Sequence, residues 1–261
     1  MRDYLVLTLA APFASFGTIA VGERRPSSDH PTKSQVIGLV AASLGVERTE
    51  EKRQQELAAS LGYAVRMDNV GRPASDYHTA EAADEASARR WRKANGPMRT
   101  RRDELACDKR KTILSMREYR TGVHATIVLW LKQTDFTTLD DIKASLAEPR
   151  FTLFAGRKAF PLMLPCRPVI ITGAACIEDA LDQYDEGRTD AVRTLEATLT
   201  FGQRRAFPSR PLYADSDAVL RSNAQRFETR RDMPETRSKW GFGLRDEIAL
   251  ALPTTTMGDD A

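Results

Sequence analysis

Residues 112–131, TILSMREYRTGVHATIVLWL, carry the reading on which the fold class turns. The stretch divides into two strand-like halves that turn near Thr121 and Gly122. Its second half, His124 to Leu131, is apolar enough for a central strand. Toward the N-terminus, AVRMDNV (64–70) is strand-like and leads to DYHTA (76–80). Before it, KSQVIGLVAASLG (33–45) places Val36, Ile37, Val40, Ala41 and Leu44 on one helical face. Thr32 is its expected N-cap and Gly45 its expected C-cap. A polar helix, TEEKRQQELAASLG (49–62), ends at Gly62. Tyr4 to Leu9 reads as a buried strand, and residues 11–32 carry Pro and Gly at turn-like intervals before ending in a loop.

Toward the C-terminus, TTLDDIKASLAEP (137–149) is a capped helix with Leu139, Ile142 and Leu146 inward. Phe151 to Phe154 then reads as a strand ended by the turn AGRK. Strand, helix, strand pair, helix, strand is the order of a ferredoxin-like βαββαβ unit, an α+β fold, here with a long insertion in its middle. From Val169 to Ala214 the pattern is strand-rich, including TLEATLTFG and AFPSRPLYA, and predicts a smaller β-element beside the first unit. Beyond Asp215 the composition turns charged and polar, and PTTTMGDDA (253–261) is expected to be disordered. The expected organisation is a core over 1–165 with its insertion at about 80–112, a β-element over 166–214, and an extension over 215–261.

The insertion is where the charge lies. Between Ser87 and Lys111 the chain holds ten cations: Arg89, Arg90, Arg92, Lys93, Arg99, Arg101, Arg102, Lys109, Arg110 and Lys111. Three acids oppose them (Asp103, Glu104, Asp108), a local balance of +7 in a chain of net +3, so the remainder sums to −4. A polyanion is the obvious partner, and nucleic acid is the commonest one. A solvated charged face with no ligand is the plain alternative.

Other classes fall away. Cys107, Cys166 and Cys176 are far apart and form no CxxC pair, which argues against zinc and a disulfide framework and suits a reducing cytoplasm. With only three histidines, His30, His78 and His124, no His-rich metal site is expected, and no Gly-rich nucleotide loop or Ser-His-Asp set is present. No cofactor or metal is expected. In YLVLTLAAPFASFGTIAV, Arg2 and Asp3 leave no positive leader, and Pro12 interrupts the apolar run short of the roughly 20 residues a membrane helix needs. A cytoplasmic protein without membrane attachment is the expectation.

Seven segments, YLVLTLAAPFASFG, ERRPSSDHPTKSQVIGLVAASLG, AVRMD, DYHT, MREYRTGVHATIVLWL, EPRFTLFAGRKAFPL and FPSRPLYA, occur here in one order over most of residues 1–214. Together they resemble the CasD family, the crRNA-handle-binding subunits of the type I-E CRISPR Cascade complex. The resemblance implies a RAMP-type protein whose ferredoxin-like core is RRM-like, with a thumb where the basic insertion stands. It also implies a non-catalytic subunit that grips the 5′ handle of crRNA and caps the backbone filament. The implied partners are the backbone subunit CasC, the large subunit CasA and, through the assembled particle, target DNA. The residues beyond about Asp215 extend past where compact members of the family end.

Gripping single-stranded RNA calls for cations on phosphates, flat groups on bases and polar groups on edges and 2′-hydroxyls. Arg serves the first two tasks, which singles out Arg89, Arg90, Arg92, Arg99, Arg101 and Arg102. Trp91 is a stacking platform or an anchor packing the thumb on the core. PTKS, at the start of the first helix, offers unpaired N–H groups with Lys33 and Ser34 to a phosphate. Arg24 and Arg25 lie in the preceding loop. Tyr77 or His78 in DYHT, at the thumb's root, is expected to touch the handle unless both are structural. Arg117 and Tyr119 are two apart and so share a strand face. Gly156, Arg157 and Lys158 form a turn with two cations suited to an RNA backbone or a neighbouring subunit. The rival enzyme reading, a metal-independent endoribonuclease as in the type I-C branch, would draw on His78, His124, Tyr119 and Lys111. A generic nucleic-acid-binding module accounts for the charge alone.

Overall fold

The computed structural model describes residues 1–133, 136–199, 209–223, 226–236 and 241–253. The chain is α+β, built on one large and almost wholly antiparallel sheet. Strand β1 (Arg2–Ala14) is buried without alternation from Tyr4 to Ala11, because both faces of the sheet are covered there. Leu5, Leu7, Leu9 and Ala11 pack into one core cluster, whereas Tyr4 and Val6 pack into another on the opposite face.

A two-residue strand, β2 (Arg24–Arg25), precedes helices α1 (Lys33–Leu44) and α2 (Glu51–Ser60). Strands β3 (Leu61–Asn69) and β4 (Arg72–Ala83) follow, then helices α3 (Glu85–Asn95) and α4 (Arg101–Leu105), and then β5 (Arg110–Leu131). Helix α5 (Leu139–Ala147) leads to β6 (Val169–Ala174), helices α6 (Ile177–Glu186) and α7 (Asp190–Leu199), and strands β7 (Ser209–Asp215), β8 (Arg226–Thr236) and β9 (Gly241–Pro253). The sheet order is β6-β1-β5-β3-β7-β9-β8, with β2 and β4 also paired to β5. Val36, Ile37 and Val40 of α1, Leu57 of α2 and Ile142 of α5 cover one face. Ile177, Ala180, Leu181 and Tyr184 of α6 cover the other.

Four expectations are corrected. Thr121 and Gly122 are not a turn: β5 runs through them as one strand of 22 residues. Its C-terminal part pairs with β3 and its N-terminal part with β4, so the partner strand also continues. The change from polar to apolar sequence at this point marks a change in burial, not in direction. Two glycines stand there in the left-handed conformation, Gly71 (φ 72°) and Gly122 (φ 68°), and a side chain at Gly71 would run into the Thr121 carbonyl.

Phe151–Phe154 is not a strand. The Arg150 and Phe151 amides donate instead to the carbonyls of Ser43 (3.0 Å) and Ala42 (3.1 Å), closing the C-terminus of α1. The strand expected there is supplied by β6, antiparallel to β1. TLEATLTFG begins inside helix α7, where the Thr198 hydroxyl donates to the Thr194 carbonyl one turn back (2.8 Å); its last three residues lie outside the described ones. Residues 166–214 do not stand as a separate β-element either, since β6 and β7 extend the same sheet at β1 and β3. Beyond Asp215, β8 and β9 form a hairpin that continues the sheet from β7; the expected disordered tail over 254–261 lies outside the described residues.

Candidate nucleic-acid interface

Past Gly71 and Gly122, β4 and the first half of β5 leave the core as a two-stranded arm, paired from Arg72–Thr121 to Ala83–Arg110. Almost every residue of β4 is exposed. Helices α3 and α4 close the tip. Asp84 caps α3 by accepting from the amides of Ala86 (3.2 Å) and Ser87 (3.4 Å). Thr100 and Asp103 form a capping box on α4. The Ser87 hydroxyl accepts from the Lys109 amide (3.2 Å), tying the helix to the returning strand. Ser87 and Ala88 are buried and Trp91 half-buried. These three lie on one helical face, and Arg89, Arg90, Arg92 and Lys93 stand exposed around the rest. Trp91 shares the less exposed face of α3 with Ser87 and Ala88.

The ten tip cations divide into two groups. Arg89 pairs with Glu85, Arg101 with Glu104 and Arg110 with Glu81. Arg90, Arg92, Lys93, Arg99, Arg102, Lys109 and Lys111 make no ion pair among the described residues. Like charges gathered at the tip repel one another, and a polyanion relieves that repulsion.

The register assigns the arm's faces, since directly opposed residues share one. Asp76 opposes Arg117, His78 opposes Ser115 and Ala74 opposes Tyr119, so His78, Arg117 and Tyr119 lie on one face. Tyr77 opposes Met116 on the other, and both are exposed. Tyr77 and His78, taken together from the sequence, thus point in opposite directions. On the first face the Tyr119 hydroxyl donates to Asp76 (3.2 Å), and His78 Nε2 lies 3.6 Å from the other oxygen of that carboxylate.

At the root of this face, three aromatic rings meet. The Tyr119 ring centroid lies 5.8 Å from that of Phe13 and 5.6 Å from that of Phe160, and the two phenylalanines are 5.8 Å apart. Phe13 remains exposed. The Arg157 guanidinium lies 5.4 Å from the centre of the Phe160 ring and donates to the Glu118 carbonyl (2.8 Å). Burial, and then the like charge of Arg117, disfavour the protonated form of Arg157. The turn that presents Arg157 needs Gly156 (φ 87°), because any Cβ there would strike the Ser15 carbonyl. Lys158 follows, exposed. Phe13 and Phe160 did not emerge from the sequence. Pro12 made the end of β1 resemble a loop, yet the strand runs through it, paired with β5 on either side at Ala11 and Phe13.

Strand β2 runs parallel to β5 beside Met116 and Arg117, which brings Arg24 and Arg25 to the same root. Arg24 pairs with Glu118 (3.2 Å), and the Arg25 guanidinium donates to the Gly22 and Arg24 carbonyls.

Lys33 is not available to a phosphate. It is 3% exposed, its ammonium lies 2.6 Å from Asp215, and its amide donates to Asp232 (2.8 Å). Arg245 bridges both acids and reaches Glu247. Burial lowers the Lys33 pKa even against the pull of Asp215. The helix terminus read as an anion site is already filled by the chain's own carboxylates, contributed from about 180 and 200 residues away. Ser34 is partly exposed at the edge of this cluster.

The four residues of the endoribonuclease reading do not converge. Lys111 is eight residues from Tyr119 on β5, roughly 26 Å at about 3.3 Å per residue. His124 is 7% exposed and points to the opposite face of that strand from Tyr119. Among the described residues, no three His, Cys, Asp or Glu side chains are placed to hold a metal ion, and no helix is long and apolar enough to cross a membrane.

Residues 4–247 match the protein family described as CRISPR-associated protein (Cas_Cas5). Over 173 residues the chain is 31% identical to the CRISPR system Cascade subunit CasD of Escherichia coli (strain K12), a match covering 63% of this chain and 70% of that protein. In fold it is similar to a chain of a CRISPR RNA-guided surveillance complex, with a TM-score of 0.63 and 21% identity over 97% of this chain and 92% of the other. It is also similar to the crystal structure of a Cas protein, with a TM-score of 0.54 and 21% identity over 96% and 95% of the two chains.

Proposed function

Because this chain belongs to the CRISPR-associated Cas5 family, we propose that it is a non-catalytic subunit of a type I-E Cascade surveillance complex, holding the 5′ handle of crRNA and capping the backbone filament. The observation that carries this reading is the joint presence, on the arm, of seven cations that make no ion pair among the described residues and, at its root, of the Phe13–Tyr119–Phe160 cluster. Phosphates sit along the former, by way of Arg90, Arg92, Arg99 and Arg102 with the re-pairable Arg89 and Arg101. A base stacks on the latter, flanked by Arg117, Arg157 and Lys158, with His78, Arg24 and Arg25 alongside. Ser34 contributes a contact, whereas Lys33, buried against Asp215, does not. Tyr77 faces away with Met116, and Trp91, half-buried on α3, is a stacking platform or an anchor for the thumb.

A ferredoxin-like core is supported by the order β6-β1-β5-β3, which in chain order is the fourth, first, third and second strand of a βαββαβ unit. The arm between its second and third strands is the thumb. CasC and CasA are the neighbouring subunits in this reading, target DNA is reached through the assembled particle, and the site of action is the cytoplasm.

The test is to mix the purified chain with its cognate repeat RNA, without metal, beside a scrambled RNA of equal length. The handle sequence is bound in preference and recovered uncut. Metal-independent cleavage would favour the endoribonuclease reading, and equal affinity for both RNAs would favour a generic module.

A further inference from the structure

The loop that joins β2 to α1 is tied down at both ends. At the root of the arm, the two oxygens of the Glu118 carboxylate take Arg24 (3.2 Å) and the Ser27 amide (3.4 Å). At the far end His30 is buried between two carboxylates, with Nδ1 2.7 Å from Asp29 and Nε2 3.1 Å from Glu247. Its ring stacks on Tyr213 of β7 with 8° between the planes, and the Tyr213 hydroxyl donates to Asp29 (3.4 Å). Glu247 of β9 also holds Arg245 and, from β8, Arg230 (3.0 Å). Arg245 bridges onward to Asp215 of β7 and Asp232 of β8, and Lys33 of α1 pairs with Asp215. From β3, the Tyr63 phenol donates to the Pro31 carbonyl.

Ionised carboxylates only accept hydrogen bonds, so both nitrogens of His30 have to donate, and only the imidazolium carries two N–H groups. A neutral ring serves one carboxylate and turns a lone pair on the other. Glu247 is buried and keeps its two arginines when that happens, whereas the half-exposed Asp29 side chain turns to water. The loss therefore falls on the loop. Burial opposes the charge on His30, but the bonds to both carboxylates raise its pKa above 6.5, so the proton leaves as the solution passes from neutral to mildly alkaline.

We propose that His30 is a positioning residue for the RNA interface, holding the segment from Arg24 to Ser34 in its binding arrangement only while its ring carries both protons. The inference rests on the RNA-binding reading above and adds proton control to it. His30 itself touches no RNA. It acts through the loop whose other end carries Arg24 and Arg25, and through the start of α1, which carries Ser34. RNA that prefers the held loop must in turn strengthen the ring's hold on its proton by the same factor.

The experiment measures affinity for the repeat-derived RNA by fluorescence anisotropy from about pH 6 to about pH 8.5 at fixed ionic strength. In the wild type, affinity falls by about fivefold across that range, the lower end of couplings between two sites. His30→Gln and Asp29→Ala lose the step and stay within about twofold of the wild-type alkaline value at every pH. Asp29→Asn, whose amide both donates and accepts and so partners either form of the ring, loses the step at the wild-type acid value. His78 titrates inside the interface, so His78→Gln is included; it binds more weakly and keeps the step. Thermal melts at each pH identify the folded variants, and the Asp29 pair, altered at a half-exposed side chain, decides the outcome if His30→Gln unfolds. A wild-type affinity that ignores pH would overturn the proposal. So would a step that survives in Asp29→Ala, or one that disappears only in His78→Gln. A wild-type chain that binds no RNA at any pH would sink the RNA-binding reading itself, and this proposal with it.

Discussion

Replacing Arg90, Arg92 and Lys93 together with Ala removes three cations from the exposed side of α3. None of them makes an ion pair among the described residues, and all three are exposed, so the fold loses almost nothing. If each lies on a phosphate, each releases about 0.7 of a counterion from single-stranded RNA. The slope of log affinity against log salt should then flatten by about 2.1. At roughly 0.15 M salt that corresponds to about 50-fold weaker binding, vanishing toward 1 M. Fluorescence anisotropy with labelled handle RNA at five or six salt concentrations measures both quantities. Lys143→Ala, exposed on α5, serves as the control and should leave the slope unchanged. A triple variant whose slope moves by less than a single contact's worth would refute the assignment of the tip to RNA, however much its affinity changed at one salt.

Truncating Tyr119 to Ala should lower RNA affinity by about 1–3 kcal/mol, whereas Tyr119→Phe, which keeps the ring and loses only the Asp76 bond, should cost far less; titration calorimetry separates the two. Lys33→Ala takes one buried cation from Asp215, which keeps Arg245 and Lys132, and should destabilise the fold by about 1.5–3 kcal/mol in chemical denaturation, with the RNA salt slope unaltered. A flattened slope in that variant would restore Lys33 to the phosphate site. His30 is 1% exposed, lies between Asp29 (2.7 Å) and Glu247 (3.1 Å), and stacks on Tyr213 with centroids 3.7 Å apart. Burial opposes its charge, but the hydrogen bonds to both carboxylates outweigh that and raise its pKa above 6.5. The stability it contributes is thus fully present below about pH 6.5 and is lost as pH rises through the higher folded value. Melting temperatures taken from pH 6 to 9 should fall across that window in the wild type and less steeply in His30→Gln.

Local order was legible where short-range physics decides it. The face of α1 and its caps at Thr32 and Gly45, the inward residues of α5, and the cationic tip all follow from spacing and charge within a few residues. Membership of the Cas5 family was legible as well, through the ordered family segments. Partnering over distance was not legible. Nothing near Lys33 announces that Asp215 and Asp232 will cover it, and nothing near Phe13 announces Tyr119 and Phe160. β5 looked like a hairpin because its two halves lie in different surroundings, a property of the neighbours each half meets. Side-chain type sets what a residue can do chemically, and chain topology sets which charges arrive already neutralised. Only once the sheet was assembled did the cations separate into those held by the protein and those left for a ligand.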